Sequence, residues 1–522
     1  MKRNKNIVLI LALVLMICCL FAACTENTKW DTVNTDTTYT AVSSNGGVAV
    51  QYGNYLYFIN GYVGASALNT FGSVKTGAVC RVEIKKDNDG KLSLDYDTFQ
   101  VVVPKNVYGS DTTNGGIYIA DGYIYYHTTS VDKNSKREYK TDEGVLMRTK
   151  VDGTGTETLK SFSDNSTVFR IVGNYLIYTD KDEDSNNLLK AIKLSDLSDI
   201  TVESNNVIAY NFSENYLVYT TYNTERKTNS SSDYLVKLFD GKTGEKKVLL
   251  SSDIYNAGTD VKYLYTTTIK SVQETASSIY LFYTKDDNST NDIYNGYYFC
   301  TFPKADPTYN RNTEYRMTSQ TDTTKYERFF CLEKKGWILA YADKKFDVYD
   351  TFVAGTAKRA ETGDAKNGAY LSYDITGATD LVNVFETENN EVYAYYTTSA
   401  TIDNTSYTAL NYIKMFSFDT AANTYKTVEE NVAVFFYFNY NSTYTTYEVS
   451  DLNYYDANGV TKAKAIVYLN SDLGDDAFAC YHIIQDGNDQ VNADKKPSGK
   501  LLGKIEPEKF VDVISSGAVE EK

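Results

Sequence analysis

The chain contains only two histidines, His127 and His482, and they lie far apart in the sequence. His127 follows a strand-type run that begins at Tyr123, whereas His482 has apolar neighbours on both sides. A nucleophile with a histidine base, or a histidine-rich metal site, needs imidazoles that converge on one point. These two would meet only if the fold brought distant segments together. We therefore expect no metal, no cofactor and a half-buried strand position for His482.

A short acidic stretch has some of the spacing of a calcium-binding loop. Asp180, Asp182 and Asp184 alternate as the first ligands of such a loop do. The loop also needs a glycine at its sharp turn and a bidentate glutamate at its end, where this chain has Ser185 and Ala191. The stretch is expected to be a solvated turn. The remaining carboxylates nominate no glycosidase pair, because separation in space defines that site, so we name no catalytic residue.

The first residues have the organisation of an export signal. Three cations, Lys2, Arg3 and Lys5, precede an apolar run that ends in Ala22-Ala23-Cys24. The segment 1–23 resembles a bacterial lipoprotein signal, although Phe21 stands where leucine is usual. That resemblance implies a lipid on Cys24 and anchoring at the extracytoplasmic face of the cell membrane. An uncleaved signal anchor is the alternative, and residues 24–44, rich in Thr, Asn and Asp, are expected to form a flexible tether.

Four further cysteines follow the lipidation site. An exported protein can form disulfides, and four cysteines allow three connectivities. Three of the four lie in apolar runs, which favours a role as small core residues. Their disulfide state is left open. The four are Cys80, Cys300, Cys331 and Cys480.

The charge balance excludes two classes of partner. The chain has 52 Lys and Arg against 68 Asp and Glu, a formal net charge of −16. Binding to nucleic acid or docking on an anionic lipid surface requires clustered positive charge. We expect no nucleic-acid partner, and membrane contact only through the lipid at Cys24.

The segment Gly116–Leu159 shows the pattern that organises the rest of the chain. It contains four short runs of β-type residues separated by turns such as Asp121-Gly122 and Asp152-Gly153, which indicates one antiparallel meander. The second strand of this meander recurs along the chain. It begins at Tyr55, Tyr123, Tyr175, Tyr216, Tyr280, Trp337, Val392 and Ala465.

Repeated meanders predict an all-β fold, a single β-propeller over residues 45–510, followed by a tail over 511–522. Eight blades are preferred, and seven are possible if the first and last meanders share one closing blade. The segment Lys500–Phe510 is expected to add a strand or to pack against the first blade.

The repeats resemble a family of uncharacterised propeller repeats in bacterial surface lipoproteins, distantly similar to YWTD and TolB-like propellers. The resemblance rests on second strands such as the one at Tyr175 and on third strands such as the one after Gly144, which runs into Asp152-Gly153. The YWTD tetrad itself is missing, with only the fragment Tyr178-Thr179-Asp180 present. The family implies a binding or assembly module and supplies no catalytic residue.

The function that we expect is therefore binding or scaffolding of a protein or carbohydrate partner at the cell surface. The alternative is a propeller hydrolase or lyase acting on an extracellular polysaccharide. The densest aromatic stretch, Phe435–Tyr455, lies where an insertion could reach the rim of a blade, and Tyr440, Tyr444 and Tyr447 are the expected partner-binding residues. The same tyrosines could instead pack against a neighbouring sheet.

Overall fold

The fold consists of antiparallel sheets and, in the part of the chain that is described, contains no α-helix. A computed structural model describes residues 46–59, 78–105, 107, 116–131, 139–162, 168–222, 234–251, 253–255, 262–287, 295–308, 313–318, 324–350, 371–375, 377–386, 392–402, 404–415, 418–419, 424–425, 428–439, 445–470, 478–484 and 500–501. The leader, including Cys24, lies outside these residues.

The first four sheets each contain four strands. Sheet 1 contains β1 (Ala49–Tyr52), β2 (Tyr55–Ile59), β3 (Val79–Lys86) and β4 (Leu92–Val103). Sheet 2 contains β5 (Tyr118–Ala120), β6 (Tyr123–Val131), β7 (Tyr139–Lys150) and β8 (Glu157–Phe162). Sheet 3 contains β9 (Phe169–Val172), β10 (Tyr175–Lys181), β11 (Asn187–Lys193) and β12 (Asp199–Glu203). Sheet 4 contains β13 (Val207–Phe212), β14 (Tyr216–Tyr222), β15 (Tyr234–Asp240) and β16 (Lys246–Ser251).

The later sheets follow the same order. Sheet 5 contains β17 (Asp253–Tyr255), β18 (Lys262–Glu274), β19 (Ser278–Asp287), β20 (Gly296–Pro303) and β21 (Glu314–Arg316). Sheet 6 contains β22 (Arg328–Leu332), β23 (Trp337–Ala342), β24 (Lys345–Asp350) and β25 (Leu371–Asp374). Sheet 7 contains β26 (Ala378–Glu386), β27 (Val392–Ile402) and β28 (Thr405–Met415), and after the two-stranded ladder β29 (Phe418–Asp419) and β30 (Thr424–Tyr425) it is completed by β31 (Val428–Asn439). Sheet 8 contains β32 (Thr445–Asp456), β33 (Gly459–Asn470), β34 (Phe478–Ile484) and β35 (Lys500–Leu501).

The turn between β5 and β6 shows how the sequence sets the register of a meander. Ala120 pairs with Tyr123, so only Asp121 and Gly122 connect the two strands. Both have positive φ, +50° and +75°, which is the backbone of a two-residue hairpin whose twist matches that of its strands. Asp and Gly tolerate this conformation, so the dipeptide fixes the pairing of the strands around it.

The chain divides into two compact units, and one of them contains sheets 1, 2 and 8. In this unit one apolar cluster joins the three sheets, from Val50 and Val82 in sheet 1 to Val145 in sheet 2 and Leu452 in sheet 8. Sheet 1 therefore buries both of its faces.

Side-chain amides connect sheet 1 to sheet 8. The Asn54 amide nitrogen donates to the Tyr455 carbonyl at 2.9 Å, and its oxygen accepts from the Tyr455 N–H at 2.9 Å. Gln51 makes the same pair of bonds with the backbone of Asn453. These amides satisfy backbone groups of β32 as a paired strand would, so the first and last sheets of the chain are held together without a shared ladder.

The other unit contains sheets 3 to 7. Each of its apolar clusters lies between two consecutive sheets. Alternate residues of a strand therefore belong to the clusters on opposite faces of its sheet. In β14, Leu217 and Tyr219 belong to the cluster shared with sheet 3, whereas Val218 belongs to the cluster shared with sheet 5. In β23, Ile338 faces sheet 5 and Leu339 faces sheet 7. Each inner sheet of this unit is thus covered on both faces.

The predicted all-β propeller is confirmed as the fold class, within the seven or eight blades that the sequence allowed. The described residues form eight sheets of four or five strands. Seven of the eight predicted second-strand positions fall in the second strand of their sheet, whereas Tyr280 falls in β19, the third strand of the five-stranded sheet 5. The expected strand from the C-terminal segment is confirmed too, because Lys500 and Leu501 form β35, which pairs with β34.

Candidate functional site

A pocket of about 490 Å³ opens between sheets 3 and 4 of the second unit. Its volume falls in the range of small-molecule sites, roughly 300–1,000 Å³. Strand β12, the outer strand of sheet 3, forms one wall, and β14 to β16 form the other. The lining residues are Thr201, Val202, Glu203, Ser204, Tyr219, Lys237, Lys246, Lys247 and Val248.

Two irregularities in strand pairing lie at this pocket. The register between β11 and β12 shifts so that Leu189 pairs with Glu203 but Lys190 pairs with Thr201. The register between β15 and β16 shifts at Lys237, which pairs with Val248. A bulge turns a side chain away from the direction that regular alternation gives. The bulge in β12 lies beside Glu203, the only carboxylate that lines the pocket. In the second shift the extra residue is Leu249 of β16, and Lys237 faces the pocket by regular alternation with the buried Val236 and Leu238.

An ion pair spans the pocket wall. The Lys237 Nζ lies 2.7 Å from Glu203 Oε2, and Glu203 Oε1 accepts the N–H groups of Ser204 at 3.1 Å and Asn205 at 3.0 Å. Burial alone raises the pKa of Glu203, but the bonds from Lys237 and from the two backbone amides outweigh burial and hold that pKa below its ordinary value. The Glu203 carboxylate is therefore ionised at neutral pH.

Tyr219 supplies a buried hydroxyl next to this pair. The residue is 0% exposed, and in the described part of the chain its hydroxyl makes no hydrogen bond of normal geometry. Burial raises the pKa of Tyr219 strongly, and the nearby charge of Glu203 raises it further. The phenol stays protonated, and its hydroxyl can donate a hydrogen bond to Glu203 or to a ligand.

The lysines of β16 differ in how their charge is balanced. Lys247 pairs with Asp306 at 2.9 Å, at an exposed position. Lys246 donates from Nζ to the Val202 carbonyl at 3.0 Å, and none of the carboxylates that the structure describes pairs with it. Since Glu203 neutralises Lys237, the ammonium of Lys246 is the uncompensated charge of the pocket.

A second group of buried charges lies inside sheet 5. Lys285 Nζ is 2.6 Å from Glu314 Oε1, and the two side chains are 3% and 8% exposed. Tyr283 donates to the same carboxylate, and Lys285 lies 4.5 Å from the ring centroid of Tyr298. Neighbouring strands of one sheet supply all these partners, and these contacts satisfy the charges within the sheet.

The two histidines and the acidic stretch 180–184 form no catalytic or metal-binding site in the part of the chain that the structure describes. His127 is 0% exposed in β6 and contacts the Phe162 ring edge-on, with centroids 6.1 Å apart. The side chain of His482 lies outside the described residues. The acidic stretch forms a turn in which Asp182 accepts the N–H groups of Asp184 and Asn186 at 3.0 and 2.8 Å, in agreement with the prediction.

The described cysteines Cys80, Cys300 and Cys331 are free thiols. Cys80 and Cys300 are buried in apolar clusters, as the core interpretation predicted. Burial raises the pKa of Cys300 to about 12 and that of Cys80 well above its ordinary value, so both thiols are unreactive at neutral pH. The side chain of Cys480 is not described.

The expected partner-binding tyrosines are only partly covered. Tyr440 and Tyr444 lie outside the described residues. Tyr447 belongs to β32, where its backbone pairs with Tyr468, and its side chain is not described. The aromatic stretch around them is placed in strands β31 and β32 on either side of residues 440–444, where an insertion had been expected.

The sequence did not point to Glu203, Tyr219, Lys237 or Lys246. Tyr219 was visible only as part of a repeating second strand, and the bulge beside Glu203 has no signature in residue types. In the ranges that the structure describes, no group of three or more His, Cys, Asp or Glu side chains could hold a metal ion. No helix among those residues is long and apolar enough to cross a membrane.

The repeated four- and five-stranded antiparallel sheets place the protein in the β-propeller class. No known protein family and no curated protein matches the chain. Among solved structures, the chain is similar to the β-propeller domain of the trilobed protease from Pyrococcus furiosus, with 10% identity, a TM-score of 0.34 and coverage of 75% of this chain and 95% of that one.

Two further solved structures are similar at the same level. TolB from Acinetobacter baumannii shares 13% identity, with a TM-score of 0.27 and coverage of 70% of this chain and 79% of that one. Oligopeptidase B from Leishmania major shares 12% identity, with a TM-score of 0.39 and coverage of 84% of this chain. The matched region spans only 55% of the oligopeptidase chain. This similarity therefore does not show that the present protein is a peptidase.

Proposed function

We propose that this protein is a lipid-anchored β-propeller of the cell surface that binds a protein or glycan partner. The observation that carries the proposal is the pocket between sheets 3 and 4, where the Glu203–Lys237 ion pair, the Tyr219 hydroxyl and the Lys246 ammonium face a volume of about 490 Å³. A few convergent polar groups in a preformed concave site are typical of ligand binding.

The protonation states in the pocket favour binding over acid–base catalysis. An acid catalyst at neutral pH needs a carboxyl group with a raised pKa, and a tyrosine base needs a lowered one. Here both shifts have the opposite sign, because Lys237 and backbone amides lower the pKa of Glu203 while burial raises that of Tyr219. At neutral pH Glu203 is therefore unsuited to act as an acid and Tyr219 is unsuited to act as a base, whereas both groups can hold a ligand.

The anchoring part of the proposal rests on the leader, which ends in Ala22-Ala23-Cys24. A lipid on Cys24 and a tether over residues 24–44 would hold the folded part near the membrane on its extracytoplasmic face. A surface position would give the pocket access to cell-envelope and environmental glycans.

A glycan array tests the binding function. Full-length protein in detergent micelles is applied to an array of bacterial and plant cell-wall oligosaccharides, and the double variant Glu203→Gln/Tyr219→Phe is applied in parallel. We expect the wild-type protein to bind a subset of glycans, and the double variant to lose most of that signal while keeping its melting temperature within a few degrees. Binding that the double variant retains in full would exclude this pocket as the site.

A further inference from the structure

The net charge of the side chains that line the pocket indicates which ligands it can bind. Glu203 and Lys237 neutralise each other at 2.7 Å, and Lys247 is paired with the exposed Asp306. The ammonium of Lys246 is held at the wall by the Val202 carbonyl, which is a dipole and does not cancel its charge. One positive charge thus remains to attract one negative charge on a ligand.

A ligand group with one negative charge matches the single ammonium that remains in this pocket. Glu203 is neutralised by Lys237 at 2.7 Å, so the pair adds no net charge to the site. A carboxylate carries one charge at neutral pH and matches the single ammonium of Lys246. A carboxylate is therefore an anionic group that matches the charge of the pocket.

The other lining groups match a ligand that carries several hydroxyls. The Tyr219 hydroxyl is buried and protonated beside Glu203, and Thr201 and Ser204 are exposed hydroxyls on the opposite wall. Val248, which is 55% exposed, offers an apolar surface at the mouth. A sugar ring has both kinds of surface, with hydroxyls around its edge and C–H groups on its faces.

We infer that the pocket binds a carboxylated sugar residue of the uronic-acid type, with its carboxylate on Lys246 and a ring hydroxyl on Tyr219. This inference rests on the proposed binding function and specifies its ligand. The negative charge of the whole protein does not prevent such binding, because interactions between exposed charges are screened beyond about 8 Å at physiological ionic strength. The local charge of the pocket decides the affinity.

A matched pair of ligands tests the charge requirement. Trigalacturonate and its fully methyl-esterified form share rings and hydroxyls, and they differ in the carboxylate charge. Isothermal titration calorimetry with the full-length protein in detergent micelles measures the affinity for each. We expect trigalacturonate to bind at least about tenfold more tightly than its ester, the difference typical of one charge-assisted hydrogen bond.

Three variants locate the interaction. Lys246→Gln should weaken trigalacturonate binding about tenfold and remove the preference for the acid over the ester. Tyr219→Phe should weaken both ligands about fivefold, since it removes a donor to a hydroxyl that both carry. Lys242→Gln is the matched control, because Lys242 is an exposed lysine in the turn between β15 and β16 and does not line the pocket. It should leave both affinities unchanged.

The outcomes separate this inference from the function on which it rests. Equal binding of acid and ester by the wild-type protein, an unchanged affinity in Lys246→Gln, or tighter binding of an acidic peptide than of trigalacturonate would overturn the carboxylated-sugar assignment. If array glycans without a carboxylate bind and the Glu203→Gln/Tyr219→Phe variant loses them, the assignment is wrong and the binding function stands. If no array glycan binds and trigalacturonate does not bind either, the carboxylated-sugar assignment and the proposed binding of glycans are both wrong.

Discussion

At the scale of single residues, the pocket depends on a carboxylate whose ionisation is coupled to folding. Glu203 is 7% exposed and is held ionised by Lys237 and by two backbone amides. A group whose pKa is lower in the folded than in the unfolded chain stabilises the fold at high pH, and loses that contribution as pH falls. The ordinary pKa of glutamate, about 4.3, marks where the loss begins.

We expect Glu203→Gln to lower the free energy of unfolding by about 1–2 kcal/mol at pH 7, because it leaves the Lys237 ammonium without its carboxylate. The difference from the wild-type protein should shrink as pH falls from about 5 to 3.5, because the wild-type carboxylate is itself becoming protonated. Urea titrations followed by circular dichroism at pH 7, 5 and 3.5 measure both effects.

The control for this prediction is Glu245→Gln, which changes an exposed glutamate in the turn between β15 and β16. Its effect should stay within about 0.5 kcal/mol at each pH. A destabilisation by Glu203→Gln that does not change between pH 7 and pH 3.5 would contradict the proposed coupling between ionisation and folding.

At the scale of strands and sheets, side-chain amides replace ladder hydrogen bonds between sheets 1 and 8. Asn54 pairs with both backbone groups of Tyr455, and Lys86 forms an ion pair with Asp456 at 2.5 Å. The second unit uses the same device, since Asn211 of sheet 4 bonds the backbone of Val272 in sheet 5 at 3.1 Å. Amides at strand ends therefore set the alignment of neighbouring sheets.

We expect Asn54→Ala to destabilise the protein by about 2 kcal/mol, because it removes the two partly buried hydrogen bonds that the amide makes with the backbone of Tyr455. Asn458→Ala is the control, since Asn458 is exposed in the turn before β33 and bonds Asp456 only through its backbone N–H. Denaturant melts compare the two variants. Equal stability of both variants would show that the amide does not hold sheet 8 to sheet 1.

Tyr440 and Tyr444, between β31 and β32, and Tyr447, in β32, remain the residues that we expect to contact a larger partner. If its tyrosines form an exposed surface, replacing Tyr440, Tyr444 and Tyr447 with Ser should leave the melting temperature unchanged and abolish binding to the partner. Differential scanning fluorimetry and binding to purified envelope glycans provide the two readouts. A fall of many degrees in melting temperature would instead place these tyrosines in the packing between sheets.

At the scale of the whole molecule, the lipid at Cys24 would decide where the binding module works. We expect Cys24→Ser to move the protein from the membrane fraction to the soluble fraction, because one serine hydroxyl cannot accept the lipid that the thiol carries. Fractionation with immunoblotting shows the distribution, and mass spectrometry of the N-terminal peptide shows the modification. Membrane retention of the variant, or an unmodified Met1 terminus in the wild-type protein, would contradict the anchor.

The net charge of −16 also belongs to this scale. It opposes adsorption to anionic surfaces and favours solubility, and it has no bearing on the fold.

The sequence alone determined the repeat and therefore the fold class. Strands such as β14 and β23 bury both faces, so they read as nearly continuous apolar and aromatic runs, and their positions can be counted along the chain. Turn dipeptides such as Asp121-Gly122 are local as well, because their backbone conformation depends on two residues. These features depend on short-range chemistry, which a sequence displays directly.

Only the tertiary structure decided where the candidate site lies. Glu203 and Lys237 are on strands of different sheets, and the bulge in β12 beside Glu203 and the packing of the two sheets bring both into one pocket. A bulge depends on the register between two strands, and the contact across the pocket depends on how two sheets pack. Neither is encoded in the residue types near one position. The sequence alone therefore does not distinguish Glu203 from the other carboxylates, and only the packing of sheet 3 on sheet 4 does so.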